Sequence, residues 1–219
     1  MKVHLIDDLK RDTRIAMDEN AISGALLNDA DLDTLKLDEI ILSRIPVAAR
    51  IVETIAPIQL LGWGDSFSTD SIAWKGQPGY GSGSIILPDD FLRLLSFQMS
   101  DWDRPVSFTI SETDSAYNMQ HSRFSGIKGN PQKPVVAIAN RAGGMVLEFY
   151  SCSAGAGVQV VQARYIPIPR IKDDTIEFPE KIRSAVVYYT AYLTAKILNQ
   201  QDAAAHLLET VGQLLQVQL

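Results

Sequence analysis

The sequence is short of the residues from which metal sites and many active sites are built. It has one cysteine, Cys152, and its three histidines, His4, His121 and His206, lie far apart along 219 residues. A single cysteine excludes an intrachain disulfide, which fits folding in a reducing compartment. Metal sites usually show closely spaced pairs of His, Cys or carboxylate ligands. We therefore predict no metal site and no cofactor.

Long apolar runs and a surplus of basic residues are also missing. No apolar run approaches the roughly 18 residues that a membrane-spanning helix needs, and the N-terminus lacks the apolar core of a signal peptide. The formal net charge is -6, whereas a protein that wraps nucleic acid has a basic surface. These absences predict a soluble protein made in the cytoplasm, with no membrane partner and no grip on DNA. They allow it to leave the cell as part of a particle.

Helical periodicity is confined to the two ends of the chain. A first helix is predicted from residue 4 to about residue 20, and a second from Leu37 to Pro57, in which Pro46 should kink the helix or mark a helix start. After Pro179, apolar residues recur at steps of three and four, at Ile182, Val186, Tyr189, Leu193 and Ile197. A further helix, capped by Asp202, completes a predicted helical hairpin.

The middle of the chain, residues 61–169, has short strand-like runs between glycine-rich loops. Residues 106–110 alternate between apolar and polar, as a half-buried strand does. Residues 141–144 and 155–157 are predicted hairpin turns, and residues 88–95 a helical turn or short helix. The order of helices, strands and helices predicts the α+β class, in which helices and strands are kept apart along the chain.

The predicted architecture is a helical bundle built from both chain ends, with an inserted antiparallel β-rich domain. Its parts are N-terminal helices over residues 1–60, the β-rich domain over residues 61–169, and C-terminal helices over residues 170–219 that pack on the N-terminal helices. The change of period at both boundaries is the basis for this division.

The motifs of common enzymes are absent. The glycine-rich stretch 76–83 lacks the Gly-Lys-Ser/Thr ending of a phosphate loop. No set of residues meets the requirements of a catalytic site, and we predict that the chain is not an enzyme. Two alternatives stay open: a small cytosolic α+β enzyme of unknown substrate that uses Cys152 or a pair of carboxylates, and a monomeric binding module.

Three aromatic residues, Trp63, Trp74 and Tyr80, lie in or beside glycine-rich loops. Aromatic side chains in such segments often form interfaces, where one side is dry and the other wet. The competing interpretation is that they cover the β core. The sequence does not choose between these two interpretations, so the three residues are candidates for a partner or oligomer interface.

The segment Leu87-Pro88-Asp89-Asp90-Phe91-Leu92-Arg93 resembles a "Leu-Pro-x-Asp-Phe/Tyr-Leu-Arg" stretch found in head–tail connector proteins of tailed phages, also called adaptors or head-completion proteins. Four further stretches, in the same order along the chain, resemble this family. They are Leu37 to Pro57, Leu147 to Tyr150, Ala163 to Pro167, and Phe178 to Ala195 followed by Asp202-Ala203-Ala204. The β region is longer than in the smallest adaptors, and the long polar C-terminal tail of some relatives is absent.

The resemblance implies a structural virion protein without catalysis. Such a subunit would form a ring, often twelvefold, between the portal and the tail, with the portal and other tail or ring proteins as partners. It would be assembled in the host cytoplasm, and DNA would pass through the ring without specific binding. An acidic chain fits this role because it repels the phosphate backbone.

The pattern of the final residues predicts a second contact with a partner. Leu215, Val217 and Leu219 alternate with glutamines, which is the period of a strand and not of the preceding helix. We predict that residues after about Gln213 extend away from the helix and bind the portal or a neighbouring ring by strand addition. The alternative is that the helix continues to the end, with Leu215 and Leu219 packed on its own core.

Overall fold

A computed structural model describes residues 1–19, 32–70, 72–75, 81–122, 124, 126–152 and 157–218. Over these residues the chain is of the mixed α+β class, as predicted. It divides into two compact units, which we describe one at a time. The helical unit comprises Met1–Gly62 with Ile168–Leu219, and the β unit comprises Trp63–Pro167.

Six α-helices lie in the described part of the chain, and all except the fourth belong to the helical unit. They are α1 (Ile6–Glu19), α2 (Leu32–Ile55), α3 (Ile58–Leu61), α4 (Ser115–Met119), α5 (Arg183–Ile197) and α6 (Gln201–Leu215). A 3-10 turn, Glu180–Ile182, precedes α5 and has Pro179 at its N-cap. A proline suits this position because the N–H that it lacks would have no partner in a first turn.

Eleven strands lie in the described residues and form three sheets. They are β1 (Lys2–Leu5), β2 (Asp65–Ser66), β3 (Ala73–Lys75), β4 (Gly81–Ile86), β5 (Phe91–Met99), β6 (Ile110–Ser111), β7 (Val136–Arg141), β8 (Gly144–Cys152), β9 (Val160–Pro167), β10 (Ile171–Lys172) and β11 (Thr175–Phe178). The sheet of the helical unit has the order β1-β11-β10, and both of its strand pairs are antiparallel.

The start of the chain corrects a prediction. Residues 2–5 form β1, not the first turn of a helix, and α1 begins at Ile6. Lys2 pairs with Phe178, and the ring of His4 stacks on that of Phe178 with centroids 4.0 Å apart. Pairing with a strand more than 170 residues away decides the conformation here, and local periodicity carries no sign of it.

Helix α2 begins before the predicted start and continues through Pro46. The prediction that a helix starts at Pro46 is therefore wrong. Ile45 and Ala48, on either side of the proline, are fully buried. Their packing compensates for the one backbone hydrogen bond of the helix that proline cannot donate.

Helix α5 packs against α1, α2 and α6, and its buried face differs from the predicted stripe. Ile182 and Val186 are buried as predicted, but Tyr189 and Leu193 are only partly buried and Ile197 is exposed. The buried positions are mostly small, at Ala185, Val186, Val187, Thr190, Ala191, Thr194 and Ala195. Small side chains let several helices approach one helix closely, so large residues are not needed on every covered face.

The hairpin predicted for α5 and α6 is confirmed, because the two helices pack together across a turn that contains Asn199. Asp202 lies in the first turn of α6 and is not its cap, which is Gln200. An acidic side chain at this place still favours the positive end of the helix dipole.

The β unit contains two sheets with the orders β2-β9-β5 and β3-β4-β8-β7-β6. All pairs are antiparallel except β6 with β7, which is parallel, so the predicted purely antiparallel domain needs this correction. The rings of Phe97 on β5 and Phe149 on β8 lie 5.8 Å apart. Both residues belong to one buried cluster that takes side chains from both sheets.

Three local predictions in the β unit have different outcomes. The turn at 141–144 joins β7 and β8 and is confirmed. Residues 91–99 form β5 and not a helix, because buried apolar residues here pair with β9. Strands β8 and β9 belong to different sheets, so the connection that contains Gly157 is not a hairpin turn. Residues 153–156 of that connection lie outside the described part.

Candidate interaction surface

Trp63 is the most exposed tryptophan of the described residues, with 77 % of its surface open to solvent. It lies two residues before the edge strand β2, which pairs with β9. The guanidinium carbon of Arg164, on β9, lies 5.3 Å from the centre of the Trp63 ring. This is the geometry of a cation–π contact, which favours this position of the ring by about 0.5–1 kcal/mol at an exposed site.

Two glycines with positive φ fix the backbone around Trp63. Gly62 has φ +70° and Gly64 has φ +57°, values that residues with a Cβ atom rarely adopt. At Gly64 there is also no space, because a Cβ atom would lie 2.3 Å from the carbonyl oxygen of Tyr165 and 2.4 Å from Cδ1 of Leu95. The chain is therefore pinned against β9 directly after Trp63.

We expect Gly64→Ala to lower the free energy of unfolding by about 2–4 kcal/mol, from the positive φ and from the clash with Tyr165. Urea denaturation measures this change. Gly62→Ala is the matched control, because a Cβ atom there has no neighbour within 4 Å. It should cost only the backbone term, about 1–3 kcal/mol, because φ +70° with ψ -143° is a conformation that suits only glycine. Equal losses in the two variants would contradict the proposed close contact at Gly64.

Trp74 fits both interpretations that the sequence left open, cover of the β core and a role at an interface. Its ring meets the ring of Phe149 edge-on with centroids 5.3 Å apart, so it covers part of the β core. It is nevertheless 41 % exposed. Tyr80 lies outside the described residues. An interface role for Trp63, Trp74 and Tyr80 stays a prediction.

The C-terminal prediction is wrong at its start. Helix α6 continues to Leu215, which is fully buried, so the chain does not leave the helix at Gln213. Gln216 then takes the left-handed conformation, and the amide of Val217 donates to the carbonyl oxygen of Gly212 at 3.0 Å. This is a helix-ending motif, and it occupies Val217 with a local hydrogen bond. Leu219 lies outside the described residues.

We expect Leu215→Ala to lower the free energy of unfolding by about 2–3 kcal/mol, because it leaves a cavity under the last turn of α6. Leu214→Ala is the adjacent control, since Leu214 is exposed, and we expect a change within about 0.5 kcal/mol. Thermal or chemical denaturation distinguishes the two. A large loss at Leu214 with none at Leu215 would mean that α6 presents the other face to the core.

Two exposed aromatic residues of the β unit are not among the predicted interface residues. Phe108 is 82 % exposed and Phe124 is 72 % exposed. Phe108 belongs to a segment that the alternation predicted to be a half-buried strand. Within this segment, Val106 forms a single bridge, with Phe97, and β6 begins at Ile110. Residues 107–109 are therefore not part of a sheet. Alternation alone gives the period of a strand but not whether a core is present on one side.

A groove lies beside this segment. It has a volume of about 360 Å³ and is lined by residues of 104–110 and 134–136. Pro105, Phe108 and Pro134 contribute apolar surface, and Arg104 contributes a charged group. The groove therefore combines an apolar lining with one cation.

A charged cluster on the same sheet surrounds Glu148, which is only 2 % exposed. One carboxylate oxygen accepts hydrogen bonds from Lys75 Nζ at 2.8 Å and from Arg141 Nε and Nη2 at 3.2 and 2.8 Å. The other accepts from the hydroxyls of Tyr117, at 2.9 Å, and Tyr150. The cluster joins β3, α4, β7 and β8 through one buried anion.

Arg141 extends the cluster outward. Its Nη1 donates to Glu112, and its Nη2 donates to the hydroxyl of Tyr117 at 2.7 Å. Burial alone would raise the pKa of Glu148, but the hydrogen bonds from Lys75, the two tyrosines and Arg141 outweigh it and lower the pKa to about 2. Both oxygens of the Glu148 carboxylate accept hydrogen bonds. The cluster therefore fixes α4 on the sheet, and neither oxygen is free to act as a base.

Cys152 is a poor candidate for a nucleophile. It is buried, and burial raises the pKa of its thiol to about 12, so little thiolate forms at neutral pH. The carboxylates of the adjacent acidic residues Asp7-Asp8 and Asp89-Asp90 are candidates for the pair that an enzyme would use, and one of each pair has a structural partner. Asp90 accepts a hydrogen bond from the hydroxyl of Tyr165 at 3.0 Å, and Asp7 forms an ion pair with Lys10 at 2.7 Å.

Among the described residues, no group of three or more His, Cys, Asp or Glu residues is arranged to hold a metal ion. None of the helices in that part of the chain combines the length and the apolar character needed to cross a bilayer.

Comparison with known proteins adds no assignment. No protein-family model matches the chain, and no curated protein is significantly similar to it.

Proposed function

We propose that this chain is a structural, non-catalytic virion protein that forms the ring of a head–tail adaptor between portal and tail. The observation that carries the proposal is the exposed and restrained Trp63. Tryptophan is among the residues most enriched at the energetic centres of interfaces. A fold that uses two positive-φ glycines and an arginine contact to present one in solvent is suited to binding another protein.

The distribution of charge supports a passage for DNA. Trp63–Pro167 has 8 Lys and Arg against 9 Asp and Glu, whereas the rest of the chain has 12 against 17. The negative charge is therefore concentrated in the helical unit. A surface of this sign repels the phosphate backbone and avoids salt-dependent binding by basic side chains. In this proposal the helical unit faces the DNA and the β unit provides contacts between proteins.

The proposal includes the finer architecture predicted above, a bundle made from both chain ends with the β-rich region inserted. It is supported by α5, which packs on α1 and α2 as well as on its hairpin partner α6. It is also supported by the ion pair between Arg183 and Asp12, at 2.5 Å, which joins α5 to α1.

Two measurements test the proposal. Genes for portal, capsid and terminase should lie beside the gene for this chain, and metabolic neighbours would contradict a virion role. The purified chain, mixed with the portal protein encoded beside it, should form a complex of several chains per portal ring by native mass spectrometry. A chain that stays monomeric and does not bind that portal would contradict the adaptor function.

A further inference from the structure

We infer that β1 is a pH-sensitive strap, which protonation of His4 releases from β11. The inference concerns the helical unit alone and does not depend on the proposed function. Strand β1 lies at the edge of a sheet with the order β1-β11-β10, with Lys2 opposite Phe178 and Leu5 opposite Thr175. An edge strand of four residues is held from one side only, so its opening costs less free energy than unfolding of the whole unit.

One buried side chain anchors β1. Of the four residues of this strand only His4 is buried, whereas Val3 and Leu5 are more than half exposed. The His4 ring lies almost flat on the ring of Phe178, with an angle of 15° between the two planes. The buried contact that holds β1 therefore comes from a side chain whose charge changes near neutral pH.

The contacts of His4 define the proton positions on its ring. Nε2 lies 3.2 Å from the carbonyl oxygen of Phe178, which can only accept a hydrogen bond, so Nε2 carries the proton of the neutral ring. Nδ1 lies 3.7 Å from Oε2 of Glu180, which also binds Lys2 Nζ at 3.0 Å. A neutral ring has no hydrogen to offer Glu180 at Nδ1. A second proton would bind at Nδ1, with the Glu180 carboxylate beside it.

Burial opposes that second proton. Removal from water lowers the pKa of His4 below the ordinary 6.5. The carbonyl of Phe178 and the charge of Glu180 act in the other direction but do not reverse this effect, and the charges of Arg183 and Lys2 lower the pKa further. A protonated His4 is therefore less stable in the paired strand than in water.

The other charged groups of the neighbouring elements do not change this balance. Glu177 on β11 lies opposite Val3 and is exposed, so the alternation of side chains directs it away from the face that His4 occupies. The acidic residues in the first half of α1 have cationic partners. These pairs are Asp7 with Lys10, Asp8 with Arg11, and Asp12 with Arg183.

The sign of the pH effect follows from the two states of β1. In the released strand His4 is in water and has its ordinary pKa of 6.5, whereas in the paired strand its pKa is lower. As the pH falls below 6.5, the released form takes up the proton first, so acid favours release until the pH passes the folded-state pKa. Release leaves β11 with an open edge, and an open edge is able to pair with another strand.

Hydrogen exchange of the backbone amides of β1 and β11, followed by NMR from about pH 7.5 to about pH 5, measures the release. After correction for the intrinsic exchange rate, the opening constant of the wild type should rise as the pH falls. The full rise is tenfold for each pH unit between the ordinary pKa of His4 and its folded-state pKa. Titration of the His4 ring signals in the same sample gives that folded-state pKa, so the two measurements check each other.

His4→Phe is the decisive variant, because phenylalanine keeps an aromatic ring against Phe178 and does not titrate. Its opening constant should stay the same across this pH range. His206→Gln is the matched control, since it removes an exposed histidine of α6, and it should show the same rise as the wild type. Circular dichroism checks that each variant is folded, and His4→Gln gives the same comparison if His4→Phe does not fold.

Glu180→Gln separates titration from a purely structural role of His4. The charge of Glu180 raises the pKa of His4, so this variant should lower the folded-state pKa and increase the release in acid. A wild-type opening constant that does not change with pH would overturn the inference. So would a rise in His4→Phe equal to that of the wild type, or a His4 ring that titrates at or above pH 6.5 in the folded protein.

Discussion

Replacement of Glu148 by glutamine is expected to lower the free energy of unfolding by about 3–5 kcal/mol. Glu148 is buried, and its carboxylate accepts hydrogen bonds from Lys75, Arg141, Tyr117 and Tyr150. Glutamine keeps the shape but brings an NH2 group toward these donors and removes the negative charge that compensates the two cations. Chemical denaturation at pH 7 measures the loss.

The same residue should make the protein sensitive to acid. The folded-state pKa of Glu148 is about 2, below the ordinary 4.5, so the unfolded chain takes up the proton first as the pH falls. Stability from this group is complete above pH 4.5 and disappears on the way to pH 2, a loss of about 3 kcal/mol. The Glu148→Gln variant lacks this component of the pH dependence.

Glu112→Gln is the matched control, because Glu112 binds the same Arg141 but is exposed. Exposed ion pairs contribute about 0–1 kcal/mol, so its stability should change little. If the two variants lose equal stability, the buried position of Glu148 does not matter and the cluster is a surface network. If neither loses stability, the hydrogen bonds around Glu148 do not hold α4 on the sheet.

Local patterns were enough to predict much of the fold. The helical period identified the hairpin of α5 and α6, and the Gly-Gly pair at 143–144 identified the turn between β7 and β8. The predictions failed where a distant partner decides the conformation. Strand β1 pairs with β11 near the other end of the chain, and residues 91–99 form a strand because β9 lies beside them.

The candidate site was only partly predictable for a similar reason. Trp63 was identified from its position between two glycines, but the close approach of Gly64 to Tyr165, which is about 100 residues away, has no signal in the sequence. Glu148 looks in the sequence like an ordinary polar residue of an alternating strand. Its donors come from positions between Lys75 and Tyr150, and no spacing rule connects them.

As the pH rises from 5 to 9, the titration of Glu53 alone is expected to lower the free energy of unfolding by roughly 4 kcal/mol. Glu53 is fully buried in α2, and its removal from water raises the pKa to about 8 from the ordinary 4.5. In the folded protein the side chain is therefore protonated at neutral pH, whereas in the unfolded chain it is ionised. Each further rise in pH below 8 favours the unfolded chain, and the effect levels off above pH 8.

The measurement is the difference in unfolding free energy between the wild type and Glu53→Gln across this pH range. Glutamine has nearly the same shape and no charge, so the stability of the variant relative to the wild type should increase steadily as the pH rises. Subtracting the two curves removes the titration of all other groups. Glu39→Gln, at an exposed position of the same helix, should show no such gain. A difference that stays constant from pH 5 to pH 9 would mean that Glu53 is ionised in the folded protein and that its burial is compensated by a partner charge.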